Sequence, residues 1–166
     1  MDTLLHNLFE KEFNYILDHN LEVQKQDNIK NDCINNSLIH KYNCQNHIFR
    51  ITNKEIDIYE PVIGLCVILD NTNGFFITWA HCWLQLQSKV IECSYEVLER
   101  RKGKEFYYFD TIKSFKEMFP DFENDYYKEL IEKIISLKKG FIEYEPKFKK
   151  NYKKHIKNIK ETTVEF

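Results

Sequence analysis

Residues 61–94 read PVIGLCVILD (Pro61 to Asp70), NTNG (Asn71 to Gly74), FFITWAHCWLQLQ (Phe75 to Gln87), a Ser88-Lys89 connection and VIECS (Val90 to Ser94). The first run is almost continuously apolar and ends on Asn and Gly residues that favour a tight turn. The second run is apolar and aromatic, and the third follows after a short connection. Strands joined this closely can only be antiparallel neighbours, because a parallel pair needs a long crossover. Glu105 to Phe109 reads as one more strand.

The flanks read differently. Leu4, Leu5, Leu8, Phe9, Phe13, Ile16 and Leu17 form a helical stripe, so a helix is expected from Thr3 to Asp18 with Asp2 or Thr3 at its cap. His19 to Asp32 is rich in Asn, Gln and Lys and reads as a surface loop. Asn31 and Asp32 then stand where an N-cap belongs, which predicts a second helix from Cys33 to Tyr42, and His47 to Thr52 reads as a short strand. Thr111 to Phe119 is a short amphipathic helix stopped by Pro120. Asp121 caps a longer helix carrying Phe122, Tyr126, Leu130, Ile131, Ile134 and Leu137, with Gly140 just past its end. A last amphipathic segment places Phe148, Tyr152, Ile156 and Ile159 on one side among many lysines. Helix, antiparallel strands, then helices is an α+β layout. It forms one domain over residues 1–166, with a core at about 30–119 and a helical extension at about 120–162.

Composition narrows the class. With 43% hydrophobic and 15% aromatic residues, the chain has a core to bury and does not read as disordered. A net charge of −2 shows no bias toward nucleic acid or membrane. Only Arg50, Arg100 and Arg101 are arginine, and lysine lacks the fork that reads bases and phosphates bidentately. The lysine-rich C-terminal segment reads as a helix docked by its apolar stripe with its charges in water, rather than as a nucleic-acid surface. Asp2, His6, Glu10, Lys11 and Glu12 interrupt any leader-like apolar run, and Pro61 to Leu69 is too short to span a bilayer. A cytoplasmic, reducing environment is therefore expected. The five cysteines, Cys33, Cys44, Cys66, Cys82 and Cys93, are odd in number and lack staple-like spacing, so free thiols are expected. No Cys-x-x-Cys pair is present, and neither a metal nor a cofactor is expected.

Nucleophilic cysteine chemistry needs a thiolate, a base beside it and a third group that orients the base. Cys33 opens a helix, where the N-terminal dipole stabilises negative charge. His81 lies mid-strand, and Glu92 lies on the strand that follows. In a tight hairpin, His81 and Glu92 face each other directly if the turn centres on Leu86-Gln87 and are diagonal neighbours on one face if the register slides by two. A one-residue slip would send Glu92 to the opposite face.

These segments resemble a set of small phage and bacterial proteins of papain-like, transglutaminase-like fold. The resemblance rests on Cys33-Ile34-Asn35-Asn36-Ser37, His81-Cys82-Trp83-Leu84 and Val90-Ile91-Glu92-Cys93-Ser94-Tyr95-Glu96, against Cys-x-Asn-(Ala or Asn)-Ser, His-Ala-Trp and Val-Ile-Asp-Pro-Thr-Trp-Glu. Pro61-Val62-Ile63-Gly64-Leu65 stands where that family has a Gly-containing strand, and Tyr107-Tyr108-Phe109 resembles its later aromatic segment. The match spans Asp32 to Phe119, about half the chain. Three residues depart from the pattern: Glu92 for Asp, Cys93 for Pro and Cys82 for Ala.

The resemblance implies a papain-like core and a Cys33-His81-Glu92 triad acting on an acyl bond, as a protease, amidase, deamidase or acyltransferase. The Cys33 N–H with Asn35 or Asn36 would form the oxyanion site, and Trp83 would flank the histidine. The expected partner is a peptide, protein or small acyl substrate. The alternative is a catalytically inactive member of the fold that binds a protein, for instance in a virus–host conflict.

Overall fold

The computed structural model describes residues 2–27, 32–71, 75–122 and 124–162, with the side chains of 2, 75–76, 124–125 and 153–162 left aside. In chain order the elements are α1 (Asp2–Asp27), α2 (Cys33–Thr52), β1 (Glu60–Asp70), β2 (Phe75–Leu86), β3 (Lys89–Ile91), α3 (Tyr95–Arg101), β4 (Glu105–Phe109), α4 (Ile112–Met118) and α5 (Asn124–Thr162). The strands form one antiparallel sheet in the order β3-β2-β1-β4. The protein is α+β, as its patterning predicts.

Strand parity divides the sheet into two faces. Leu84 and Leu86 of β2 join Phe13, Ile16, Cys44 and Ile48 of α1 and α2 in one buried cluster. Leu65 and Val67 of β1 join Phe109, Phe115, Tyr127 and Leu130 in a second. The register pairs odd-numbered β1 residues with even-numbered β2 residues, so both clusters lie on the same face and the helices that form them pack there. The other face carries Gly64 and Cys66 of β1, paired with His81 and Trp79 of β2, and Tyr108 of β4, paired with Cys66.

Several expected boundaries are wrong, each for a physical reason. The supposed loop from His19 continues α1 to Asp27. Two of its polar residues point inward and find partners: Asn43 Nδ2 donates to Asn20 Oδ1 (3.0 Å), and Gln24 Nε2 donates to the Cys93 carbonyl (2.7 Å) while its Oε1 accepts from the Tyr95 N–H (3.1 Å). The supposed strand at His47 to Thr52 is the end of α2, which stops at Asn53 in the left-handed region, where its N–H reaches the Phe49 carbonyl at 2.8 Å. Burial of Ile48 against α1 outweighs the β-propensity of that short run.

β3 is shorter than expected and ends at Ile91, and α3 follows without having been anticipated. Gly140 does not end a helix, because α5 runs from Asn124 through Gly140 and Pro146 to Thr162. A Cβ at Gly140 would stand 3.9 Å from Ile34 Cδ1, so the glycine lies beside α2. Asp121 precedes α5 without being its cap. The expected Thr111 to Phe119 helix is α4, Ile112–Met118, with Thr111 as its cap, accepting from the Ser114 N–H at 3.1 Å. Phe148 and Tyr152 dock on Tyr42 at 5.6 and 5.8 Å between ring centres, as the apolar stripe predicts. The side chains of Ile156 and Ile159, together with Asn31 and the turn residues 72–74, lie outside the described residues.

Three histidines are buried between α1, α2 and Tyr59. His6 meets Phe13 and Tyr59 at 5.6 Å, His47 meets Phe13 at 5.9 Å, and His40 lies 5.2 Å from Tyr59 with its Nε2 3.6 Å from Cys44 Sγ. Burial lowers the pKa of all three, with His40 pushed down to about 3 by burial and then by His6. Lys89 and Arg50 add to the lowering at His6 and His47, and Glu10 and Glu12 oppose it. The folded state thus holds these imidazoles neutral. Their contribution to stability is complete above the ordinary histidine value and is lost as pH falls below it. Urea unfolding should show stability falling from pH 6.5 toward pH 4.5, by up to about 1.4 kcal/mol per pH unit for each imidazole that resists protonation. His40→Gln should flatten that slope.

Candidate functional site

The first turn of α2 is set by Asp32, whose Oδ1 accepts the Asn35 N–H at 3.3 Å and whose carbonyl accepts the Asn36 N–H at 3.0 Å. Cys33 is therefore the first helical residue, and its N–H belongs to the first-turn amides that have no acceptor within the helix. One turn later, Ser37 Oγ donates to the Cys82 carbonyl and Asn36 Nδ2 donates to Ser94 Oγ, each at 3.3 Å. These bonds tie the start of α2 to the part of β2 that β3 leaves unpaired and to the segment that follows β3.

The β2–β3 hairpin turns through Gln87, at φ 55°, and pairs Leu86 with Lys89, Gln85 with Val90 and Leu84 with Ile91. Continued by one residue, this register sets Glu92 opposite Trp83 and diagonal to His81 on the same face. The contact is made: His81 Nε2 lies 2.9 Å from both Glu92 oxygens, and both residues are 3% exposed. Glu92 Oε2 also accepts the Ser94 N–H at 3.0 Å, and Oε1 accepts the Tyr108 hydroxyl at 2.6 Å. The carboxylate thus has a donor on each oxygen besides the imidazole, as a buried charge requires.

Burial works to lower the His81 pKa. Hydrogen bonding to the Cys33 thiol and to Glu92, together with the charge of both, outweighs it and raises the value to about 9. With Nε2 taken by Glu92, Nδ1 is the nitrogen left to serve the thiol. The proposed triad residues are therefore brought together around one ring.

The remaining thiols are set apart from Cys33 by burial. Cys33 is half-buried, whereas Cys44, Cys66, Cys82 and Cys93 are buried, and all five are free. Burial pushes Cys66 up to about 12 and raises Cys44, Cys82 and Cys93 as well, so these four stay protonated near neutral pH. Trp83 is buried beside the His81 ring, with centres 6.3 Å apart, and Trp79 meets its edge at 6.0 Å. Of the two amides expected near the oxyanion, Asn35 Oδ1 accepts from the Tyr144 hydroxyl at 2.6 Å. Asn36 is buried, with its NH2 donated to Ser94 and its Oδ1 without a partner among the described residues.

Gly64 is the reason Trp83 can lie there. A Cβ on this residue would fall 2.0 Å from the Phe109 carbonyl oxygen and 2.9 Å from Trp83 Cη2. Glycine lets β4 and the indole close over β1 beside the site.

Sequence reasoning missed Tyr108, Arg101, Ser37 and Ser94. Ser94 was within reach, since a carboxylate two residues before a serine N–H is a local turn pattern. Ser37 lies one turn after Cys33 on the same helix side. Tyr108 and Arg101 carry no sequence signal for this contact, because it depends on how β4 aligns with β1. Among the described residues, no group of three or more His, Cys, Asp or Glu side chains is placed to hold a metal ion. No helix among them is long and apolar enough to cross a membrane. Neither family models nor curated proteins nor solved structures offer a match to this chain.

Two outcomes are expected at this site. In Glu92→Gln, burial should dominate the ring, so His81 should titrate more than about one pH unit lower by histidine NMR. The linkage has a sign: the raised His81 value stabilises the fold below the ordinary histidine range, and that contribution is lost as pH rises through about 9. Gly64→Ala should cost at least about 1–3 kcal/mol in urea unfolding, because a strand carbonyl cannot move aside as a flexible side chain can.

Proposed function

We propose that this chain is a cysteine-dependent acyl-bond enzyme with a papain-like, transglutaminase-like arrangement of Cys33, His81 and Glu92. The observation that carries the reading is the buried His81 ring held between a carboxylate at 2.9 Å and the one half-buried thiol among five. The order of cysteine at a helix start, histidine on a strand and acid just after the next strand also supports it.

In this reading the thiol proton rests on His81, whose ring Glu92 holds as the imidazolium, and Cys33 Sγ attacks the acyl carbon of an amide, ester or thioester. The carbonyl electrons move to oxygen, where the Cys33 N–H, joined by the Asn35 or Asn36 amide, receives the oxyanion. Collapse of the tetrahedral intermediate expels the leaving group, which takes the proton from His81 and leaves a thioester on Cys33. Water or an amine then attacks the thioester with His81 as base, which restores the starting state. Glu92 fixes the ring orientation and balances the imidazolium charge. The transfer or hydrolysis outcome depends on which nucleophile reaches the thioester.

A second reading, a protein-binding member of the fold without catalysis, draws support from α5. Its outer side exposes Ile131, Ile135 and Ile142, the last 73% exposed, at spacings that share one helix face.

Iodoacetamide alkylation followed by mass spectrometry separates the two readings. Fast labelling confined to Cys33 near pH 7, lost in Cys33→Ala and slowed about tenfold or more in His81→Gln, is the expected result. Uniformly slow labelling of all five cysteines sinks the enzyme reading and leaves the binding one.

A further inference from the structure

Glu92 reaches His81 from a segment that has already left the β ladder, so something beyond β3 has to hold its side chain in place. Tyr108 meets it from another element, and Arg101 backs Tyr108. Tyr108 in β4 donates its hydroxyl proton to Glu92 Oε1 at 2.6 Å, and Arg101 at the end of α3 donates Nη1–H to the same hydroxyl oxygen at 3.0 Å. A phenol has one proton. With the guanidinium occupying a lone pair of that oxygen, the proton is directed at the carboxylate. Both donors are themselves held: the Arg101 guanidinium lies 4.3 Å over the Phe106 ring, and the Tyr108 ring is wedged against Trp83 at 5.0 Å and Phe106 at 6.0 Å. Burial, followed by the charge of Glu92, raises the Tyr108 pKa, so the phenol remains a donor across the range in which a histidine titrates.

We propose that Arg101 and Tyr108 are positioning residues that lock the Glu92 carboxylate in the conformer reaching His81. They thereby set how firmly the imidazolium is held. The proposal rests on the reading of His81 as base and Glu92 as its orienting acid. The other titratable groups around the pair are Cys33 on α2, which faces the ring, and Cys66, Cys82 and Cys93, whose buried thiols stay neutral. Arg101 thus reaches the pair through the Tyr108 hydroxyl, to which it donates.

The test is the His81 titration midpoint, read by histidine NMR on the full chain in the wild type, Tyr108→Phe, Arg101→Gln and the double variant. Tyr108→Phe should lower the midpoint by about half a pH unit or more, because a freed carboxylate spends less time on the ring. Arg101→Gln should lower it by less, and should add nothing in the Tyr108→Phe background, because it acts through the phenol. A midpoint that is unchanged or raised in Tyr108→Phe, or effects that simply add, overturns the proposal. A merely structural role would lower stability and leave the midpoint in place. Arg101 is only half-buried at a helix end, so its variant should keep the fold and preserve the test if Tyr108→Phe does not. Iodoacetamide rates on the same samples keep the two readings apart. Slow wild-type Cys33 defeats the enzyme reading alone, whereas fast Cys33 with unmoved midpoints defeats the positioning role alone.

Discussion

Glu92 and His81 are almost wholly removed from water, and a carboxylate in that position is tolerated only when each oxygen has a donor. The surrounding structure supplies those donors from several elements. The imidazole comes from β2, a main-chain N–H from the turn after β3, and a hydroxyl from β4. Ser94, which supplies the N–H, is in turn held by Asn36 of α2, one turn after Cys33. The ion pair therefore links the sheet, the turn and the cysteine-bearing helix, and loss of any one support would leave a buried charge underserved.

The sheet accommodates this at a cost in side-chain volume. Trp83 packs between His81 and Tyr108, and a Cβ at Gly64 would press on its indole and, harder, on the Phe109 carbonyl oxygen. Glycine within a strand is ordinarily unfavourable, since it loses more freedom on folding and offers nothing to pack. Here the close approach of the Phe109 carbonyl and the indole explains its presence. The register that brings Glu92 beside His81 has a similar local cause: the turn at Gln87 shortens the hairpin loop to two residues.

Misread segments share a pattern. Asn20 and Gln24 look like loop residues, yet they face inward because Asn43, Cys93 and Tyr95 offer them hydrogen bonds. His47 to Thr52 looks β-prone, yet it extends a helix because Ile48 completes the cluster between α1 and α2. In both cases the deciding partner is more than twenty residues away or on another element, and no local pattern reveals it. By contrast, Asp32 before Cys33 acts within its own turn, and that cap was legible.

The same division separates what each level decided. Sequence alone determined the α+β class, three of the four strands closely and the shorter third one approximately, and the start of α2 at Cys33, because periodicity, caps and turns act over a few residues. Tertiary structure alone decided that Glu92 falls on the His81 face rather than the opposite one, that Tyr108, backed by Arg101, completes its hydrogen bonds, and that Gly64 makes room for Trp83. Those outcomes depend on strand register and on close approach between elements distant in the chain. A one-residue slip in pairing reverses every side chain, and nothing in the local sequence excludes it.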